Sequence, residues 1–223
     1  MAGFQDFELF YDDFNGAVAT LPASADPATP WLIDDTSASG APVFTKGTSV
    51  ATLTLAATNE VENVCLHFGD ALDFDIDDLQ SVELRVKLGA AAFTSGSILV
   101  FGVGSARNDT ADSVAANAWF RMEGANSTTQ VYVETDDSIR DNDDVATGQV
   151  LGTAFKVFKI DFSSKRDVQF TIDGVAVARA ATFDMSGYSA GLQPIIQIQK
   201  AANTNVDSVV VDYVRMRGRR RAA

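Results

Sequence analysis

The sequence predicts an all-β chain: two antiparallel sheets stacked as a sandwich, about 12 strands, with very little helix. Three observations carry this. Apolar and polar residues alternate over short segments, the period of a half-buried strand. Turn residues punctuate those segments, and at Asp173-Gly174 a two-residue loop joins two alternating runs. No segment sustains a helical apolar period beyond a turn or two. With 223 residues, 46% hydrophobic and 15 of them Phe, the chain can bury one sizeable core, so a single domain is expected.

In chain order, residues 1–20 interleave Phe4, Phe7, Phe10 and Phe14 with Asp6, Glu8, Asp12 and Asp13. They fit neither period cleanly, which suggests an irregular arm followed by a short strand. Pro22, Pro27 and Pro30 make residues 21–42 a loop, in which Trp31 either packs under the arm or docks on a neighbour. Residues 49–56 alternate as a strand. Residues 63–68 form another, with Val64, Leu66 and Phe68 on one face and Cys65 and His67 on the other. Five Asp fall within residues 70–78, which marks a solvated edge or a connection between sheets.

Val82, Leu84, Val86 and Leu88 alternate with Glu83, Arg85 and Lys87 in the cleanest strand of the chain. Residues 97–104 are almost continuously apolar, as a central strand requires. A polar loop is expected over 105–117, a hairpin-like pair over 118–123 and 129–135, and a long acidic loop over 136–148. In the last third, Phe158, Ile160 and Phe162 share one side of a strand. The Asp173-Gly174 turn then places Ile172 opposite Val175 and Phe170 opposite Val177, because a type I′ turn needs positive φ at both central residues. Residues 194–199 and 207–217 close the sandwich. The expected organisation is an arm and proline-rich loop packed on the domain (1–42), the sandwich (43–217) and a basic tail (218–223).

The order of strand, Asp-Gly hairpin, Gly-rich loop, strand and closing Asp212-Tyr213-Val214-Arg215 strand resembles the concanavalin A-like jelly rolls, the lectin and laminarinase group. Tyr11-Asp12-Asp13-Phe14-Asn15-Gly16 is similar to a common opening of such domains, so the resemblance covers most of the chain. It implies catalytic carboxylates in the pattern Glu-x-Asp-x-x-Glu or Glu-x-Asp-x-Glu, one attacking the sugar and the other donating a proton. The nearest match is Glu134-Thr135-Asp136-Asp137-Ser138-Ile139, where Ser138 and Ile139 stand in the two places open to the second Glu. No catalytic residue, and no enzyme, is therefore expected. The resemblance also implies that a structural calcium, if any cofactor at all, would lie between Asp12 or Asp13 and Asp212. Residues 141–144 offer oxygen ligands without the spacing of an EF-hand. A sugar platform would use Trp119 beside Arg121, with Tyr132 on the next strand; the alternative is that Trp119 fills the core.

Composition narrows the function classes. One Cys and one His exclude an internal disulfide and argue against a zinc site. The net charge is −13, and Arg215, Arg217, Arg219, Arg220 and Arg221 conceal an acidic body: residues 1–214 hold 12 basic against 30 acidic residues, a net of −18. Such a body does not suit nucleic acid. No apolar run is long enough to cross a membrane as a helix. The opening residues lack the basic and apolar segments of a secretory signal, so the chain is expected to stay in the cell that makes it or to leave by lysis. Together these features resemble bacteriophage capsid decoration proteins. The expectation is a homotrimeric cement protein, made in the host cytoplasm and bound to the major capsid protein on the virion surface. Its anchors would be Phe4, Phe7 and Phe10 at one end, with Arg217, Arg219, Arg220 and Arg221 at the other. The alternatives are a lectin-like carbohydrate-binding module and, third, a degenerate glycoside hydrolase.

Overall fold

In a computed structural model the fold is described for residues 6–15, 21–22, 26, 29–47 and 49–219. Among these, sixteen strands form two eight-stranded antiparallel sheets, and the one helical feature is a 3-10 turn at Ala111–Ser113. The first sheet runs β14 (Val175–Val177), β13 (Gln169–Ile172), β12 (Lys156–Asp161), β7 (Leu79–Leu88), β16 (Ser208–Arg219), β4 (Val50–Thr54) and β3 (Val43–Gly47), with β1 (Asp6–Asp12) also paired to β16. The second runs β11 (Asp141–Val150), β10 (Gln130–Asp136), β9 (Asn117–Glu123), β8 (Ser97–Gly104), β15 (Gly191–Asn203), β5 (Glu60–His67) and β2 (Leu32–Thr36), with β6 (Phe74–Asp75) paired to β15.

The Asp-Gly hairpin forms as the residues dictate. Asp173 and Gly174 have φ of 51° and 77°, and Ile172 pairs with Val175 and Phe170 with Val177. On the inner faces, Val82, Leu84, Val86 and Leu88 of β7 and Phe158 and Ile160 of β12 are buried against Leu99, Phe101 and Val103 of β8 and Phe120 of β9. An aromatic chain bridges the sheets: the ring of Phe158 lies 4.8 Å from Phe101 and 4.9 Å from Phe120, both edge-on. Burying such rings in offset or edge contact is the main source of cohesion in a chain without disulfides. The apolar β8 is the middle strand of its sheet, as its composition predicts. The Asp-rich segment after β5 carries the chain from the second sheet to the first, touching β15 through β6.

Several expectations are corrected. The irregular arm is, over Asp6–Asp12, a strand paired with β16. Its Phe10 turns inward against Trp31, Phe68 and Phe74 at ring separations of 5.7, 5.1 and 6.5 Å. Of the two readings of Trp31 the first holds: it packs under the arm, buried, with Nε1 donating to Asp12 Oδ2 at 2.9 Å. The loop expected over 21–42 contains β2, so the segment before residue 43 gives one strand to each sheet. The acidic loop expected over 136–148 is largely β11, an edge strand. Its Asp and Asn are poor strand formers, but charge and bulges are what an exposed edge carries to resist further pairing. Its register shifts twice against β10, and Asp144 and Gly148 take positive φ. At the other end β16 runs to Arg219, two residues past the expected end of the sandwich at 217, and Arg219 Nη2 donates to the Ser163 carbonyl at 3.0 Å. Phe4, Arg220 and Arg221 lie outside the described residues, as do Gly16 of the opening motif and the side chain of Phe7.

Candidate functional site

The outer face of the second sheet is where polar chemistry accumulates. Strand alternation sends every second residue of β9 outward, so Asn117, Trp119, Arg121 and Glu123 share one face while Ala118, Phe120 and Met122 enter the core. The pairing registers arrange the outward residues in rows across the strands. One row passes from Asn63 through Gln199 and Ile98 to Glu123. The next passes from Asp34 through Cys65, Gln197, Val100 and Arg121 to Tyr132. A third passes from His67 through Ile195, Gly102 and Trp119 to Glu134. Gly102 is required here, because a Cβ would lie 2.7 Å from Trp119 Cα and 2.4 Å from the Ala118 carbonyl oxygen.

Residues 105–116 fold over the middle of this face as a compact loop. Its neck is closed by Ser105 N donating to the Ala116 carbonyl at 2.8 Å and by Ala116 N donating to Ser105 Oγ at 3.1 Å. Ala111 and Val114 pack onto Cys65, Val100, Trp119 and Ile195, a small cluster separate from the main core. At the rim Arg107 Nε donates to Asp34 Oδ2 at 2.5 Å and its Nη1 to Asp109 Oδ1 at 2.6 Å. Ala111 N donates to Gln199 Oε1 at 3.1 Å.

Beside the loop, Arg121 gathers four carboxylates. Its Nη1 lies 3.1 Å from Glu134 Oε2 and also bonds Asp112 of the loop; Nη2 lies 3.2 Å from Glu123 Oε2, and Nε 3.2 Å from Asp144 Oδ1. Glu134 is 3% exposed, and Asn117 Nδ2 donates to its Oε1 at 3.3 Å. Burial pushes the Glu134 pKa up to about 7, against the opposing pull of Arg121 and of the Trp119 indole. Burial raises that of Asp144 as well. Burial alone would weaken the hold of Arg121 on its proton, but Asp112, Glu134 and Asp144 more than reverse this. The site therefore holds a carboxyl that is half protonated near neutrality beside carboxylates tied to a permanent cation.

Two recesses open along the uncovered part of the face. One, of about 380 Å³, is lined by Asp112, Arg121, Glu123, Asp141, Asp143 and Asp144. The other, of about 320 Å³, has Val61, Ile98, Glu123, Gln199 and the Lys200 segment on its walls. Glu123 lines both, the first reaching β11 and the second β5.

The structure sorts the candidate residues. Trp119 is fully buried beneath the loop, so it is not the exposed platform that a sugar would stack on in this conformation. Arg121 and Tyr132 do pair across β9 and β10 beside it, but Arg121 is engaged by carboxylates. The implied calcium ligands do not suit a cation. Asp12 accepts from Trp31 Nε1 and, at 2.7 Å, from Phe14 N, while Asp212 is bound by Arg85, already a cation. Among the described residues no three His, Cys, Asp or Glu side chains are grouped to hold a metal. Cys65 is a buried free thiol whose pKa burial raises, and His67, whose pKa burial lowers, lies 3.1 Å from Asp34. Both are structural. Glu123 and Asp112 were not singled out as site residues by sequence, and Asp144 only as one of the oxygen ligands offered by residues 141–144. The signal for Glu123 lay in the alternation Trp119-x-Arg121-x-Glu123.

No protein-family model and no curated protein matches the sequence. Solved structures do. The chain superposes on a structure from work on endo-acting O-glycanases of human gut bacteria that initiate mucin breakdown, with a TM-score of 0.68, 13% identity and 95% and 99% of the two chains covered. A mixed-linkage glucan GH16 protein of Bacteroides ovatus, in complex with product, gives 0.61 at 13% identity over 93% and 99%. The carbohydrate recognition domain of Emp47p gives 0.60 at 9% identity over 93% and 96%. The chain has the concanavalin A-like jelly-roll fold. These neighbours overturn the expectation of a non-enzymatic capsid decoration protein: the similar structures are those of glucanases, laminarinases and a carbohydrate recognition domain, and none supplies a link to a virion.

Proposed function

We propose that this chain is a carbohydrate-active jelly-roll domain whose glycan lies across the strands on the outer face of the second sheet, over the two recesses that Glu123 lines. The observation that carries the reading is a pair of recesses that share Glu123, one lined by Ile98 and Gln199 and the other by Arg121 and its carboxylates. Concave surfaces with apolar walls and convergent polar groups suit a polyhydroxylated chain. The glucan hydrolases and the carbohydrate recognition domain that share the fold support a glycan as occupant. Titration calorimetry with oligosaccharides of mixed-linkage glucan, β-1,3-glucan and mucin O-glycans tests this. Saturable heat with one of them, abolished by Glu123→Ala, supports the proposal, and silence with all three in both binding and turnover refutes it.

Hydrolysis is a second reading, favoured by the pairing of Glu134 with its neighbours. A carboxyl held protonated towards pH 7 beside carboxylates that stay with Arg121 is the division between acid and nucleophile that glycoside cleavage uses. Release of reducing ends from the same glycans is the measurement. Glu134→Gln should lower it by about 10²–10⁴-fold if Glu134 is the proton donor.

A further inference from the structure

Resting on the glycan reading above, we infer that the recess of about 320 Å³ is a subsite for an N-acetylated amino sugar, whose acetamido group lies over Ile98 between Gln199 and Glu123. The pairing registers set these three side chains in one outward row on the neighbouring strands β15, β8 and β9. Two strand spacings put the ends of the row about 10 Å apart. An amide that accepts a hydrogen bond at its oxygen and donates one at its nitrogen spans roughly 8 Å from one partner atom to the other, which fits between two side chains rooted at that separation.

The two ends of the row carry opposite and unspent hydrogen-bonding capacity. Gln199 Oε1 accepts from Ala111 N at 3.1 Å and from Gln197 Nε2 at 2.9 Å. A backbone N–H can meet only the oxygen of a side-chain amide, so the group cannot be turned over. Its Nε2 donates to no described residue and is left as a donor on the recess wall. Glu123 does the converse: its Oε2 accepts from Arg121 Nη2 and Asn126 Nδ2, each at 3.2 Å, while Oε1 takes no bond from any described residue. A fixed donor facing a fixed acceptor is complementary to the C=O and N–H of an acetamido group in one orientation.

The rest of the lining suits the methyl. Ile98, Ala201, Ala125 and Val61 are short aliphatic side chains, the last three exposed. A bare pyranose is best gripped by an aromatic face against its C–H groups, and among the described residues lining this recess none is aromatic. An acetyl methyl needs only aliphatic surface to leave water. Lys200 lines the recess too, but its ammonium is enclosed by the carbonyls of Thr58, Asn203 and Asn205 and has Glu62 beside it. The charge presented to a ligand is thus that of Glu123, which turns away acidic sugars.

The test uses the full chain and the methyl glycosides of N-acetylglucosamine and N-acetylgalactosamine, set against those of glucose and galactose, which carry a hydroxyl in place of the acetamido group. Saturation-transfer NMR gives their dissociation constants and shows which ligand protons touch the protein. One N-acetylated sugar should bind about tenfold or more tighter than its hydroxyl counterpart, with the acetyl methyl taking the most saturation. Gln199→Glu keeps the oxygen that Ala111 N and Gln197 Nε2 require and turns the free donor into an acceptor, so it should cancel that preference and leave the hydroxyl sugars unchanged. Equal affinities, no binding of any of the four, saturation centred on ring protons, or a preference that survives Gln199→Glu each overturns the subsite. Should that variant not fold, Ala201→Leu fills the recess from an exposed position, and a preference that persists in it overturns the subsite in the same way. Oligosaccharides that titrate through Glu123 without favouring acetamido sugars defeat only this inference. Silence with every glycan, in binding and in turnover, defeats the proposed function with it.

Discussion

Arg121 Nη1 stands 3.1 Å from Glu134 Oε2, both side chains almost fully withdrawn from water, yet burial still leaves Glu134 with a pKa of about 7. The folded pKa is raised above the unfolded value, so the stability Glu134 contributes is complete below about pH 4.5 and is lost as pH rises through 7. A shift of that size corresponds to an order of 3 kcal/mol. Glu134→Gln removes the titration. Urea midpoints measured from pH 4 to pH 9 should fall through this window in the parent and stay flatter in the variant. Parallel curves would refute the assignment.

Among the described residues Arg121 is the only cation paired with Asp112, Glu123, Glu134 and Asp144. Replacing it by Met keeps the volume and strands the carboxylates together, which for a partly buried site costs about 3–5 kcal/mol. Acid should restore much of this, since protonation relieves the repulsion. Denaturation of Arg121→Met at pH 7 and pH 4.5 measures both, and an equal loss at the two values would show that packing and not charge is responsible.

Much of the fold was legible because local chemistry and global topology agree. Asp173-Gly174 needs positive φ, and Ile172 and Val175 need one face; a single hairpin satisfies both. The acidic stretch 141–148 misled because low strand propensity and edge protection use the same residues, and only its pairing with β10 separates them. The site was partly visible. Glu134 stood in the carboxylate motif, and Arg121 and Tyr132, named together, pair across β9 and β10, while Trp119 is buried and not the platform expected. That Asp112, Glu123 and Asp144 converge on Arg121 depends on registers between three elements, and registers leave no mark in composition. The covering of Trp119 was equally hidden, because Ala111 and Val114 are two small residues in a polar loop with no period to betray them.

Gly102 and Gly174 separate crowding from backbone strain. A methyl at Gly102 meets Trp119 Cβ at 2.8 Å besides two backbone atoms of β9, in the middle of the sheet, so Gly102→Ala should cost about 1–3 kcal/mol. Gly174 has nothing within 4 Å of its would-be methyl but holds φ at 77°. Gly174→Ala should cost about 1–2 kcal/mol through the left-handed backbone alone. Near-ultraviolet circular dichroism distinguishes them: only Gly102→Ala should disturb the Trp119 signal, and a change in both would refute the local account.

Lys200 is buried with its ammonium enclosed by the carbonyls of Thr58, Asn203 and Asn205 at 2.7, 2.9 and 3.3 Å and that of Ala56 at 2.5 Å, while Glu62 Oε2 lies 3.5 Å away. Glu62 in turn accepts from Ala56 N at 2.8 Å and from Thr58 Oγ1. One cation thus ties the turn between β4 and β5 to the end of β15, beside the recess that Lys200 lines. Lys200→Met retains the stem and deletes the charge, leaving a buried carboxylate and four acceptors without their donor, a loss of about 3–5 kcal/mol. Adding Glu62→Gln removes the orphaned charge and should recover part of that loss. A double-mutant cycle in urea gives the coupling. If the double variant is as unstable as the sum of the two single ones, the ammonium and the carboxylate do not support each other, and the pair must be regarded as two independent buried polar groups.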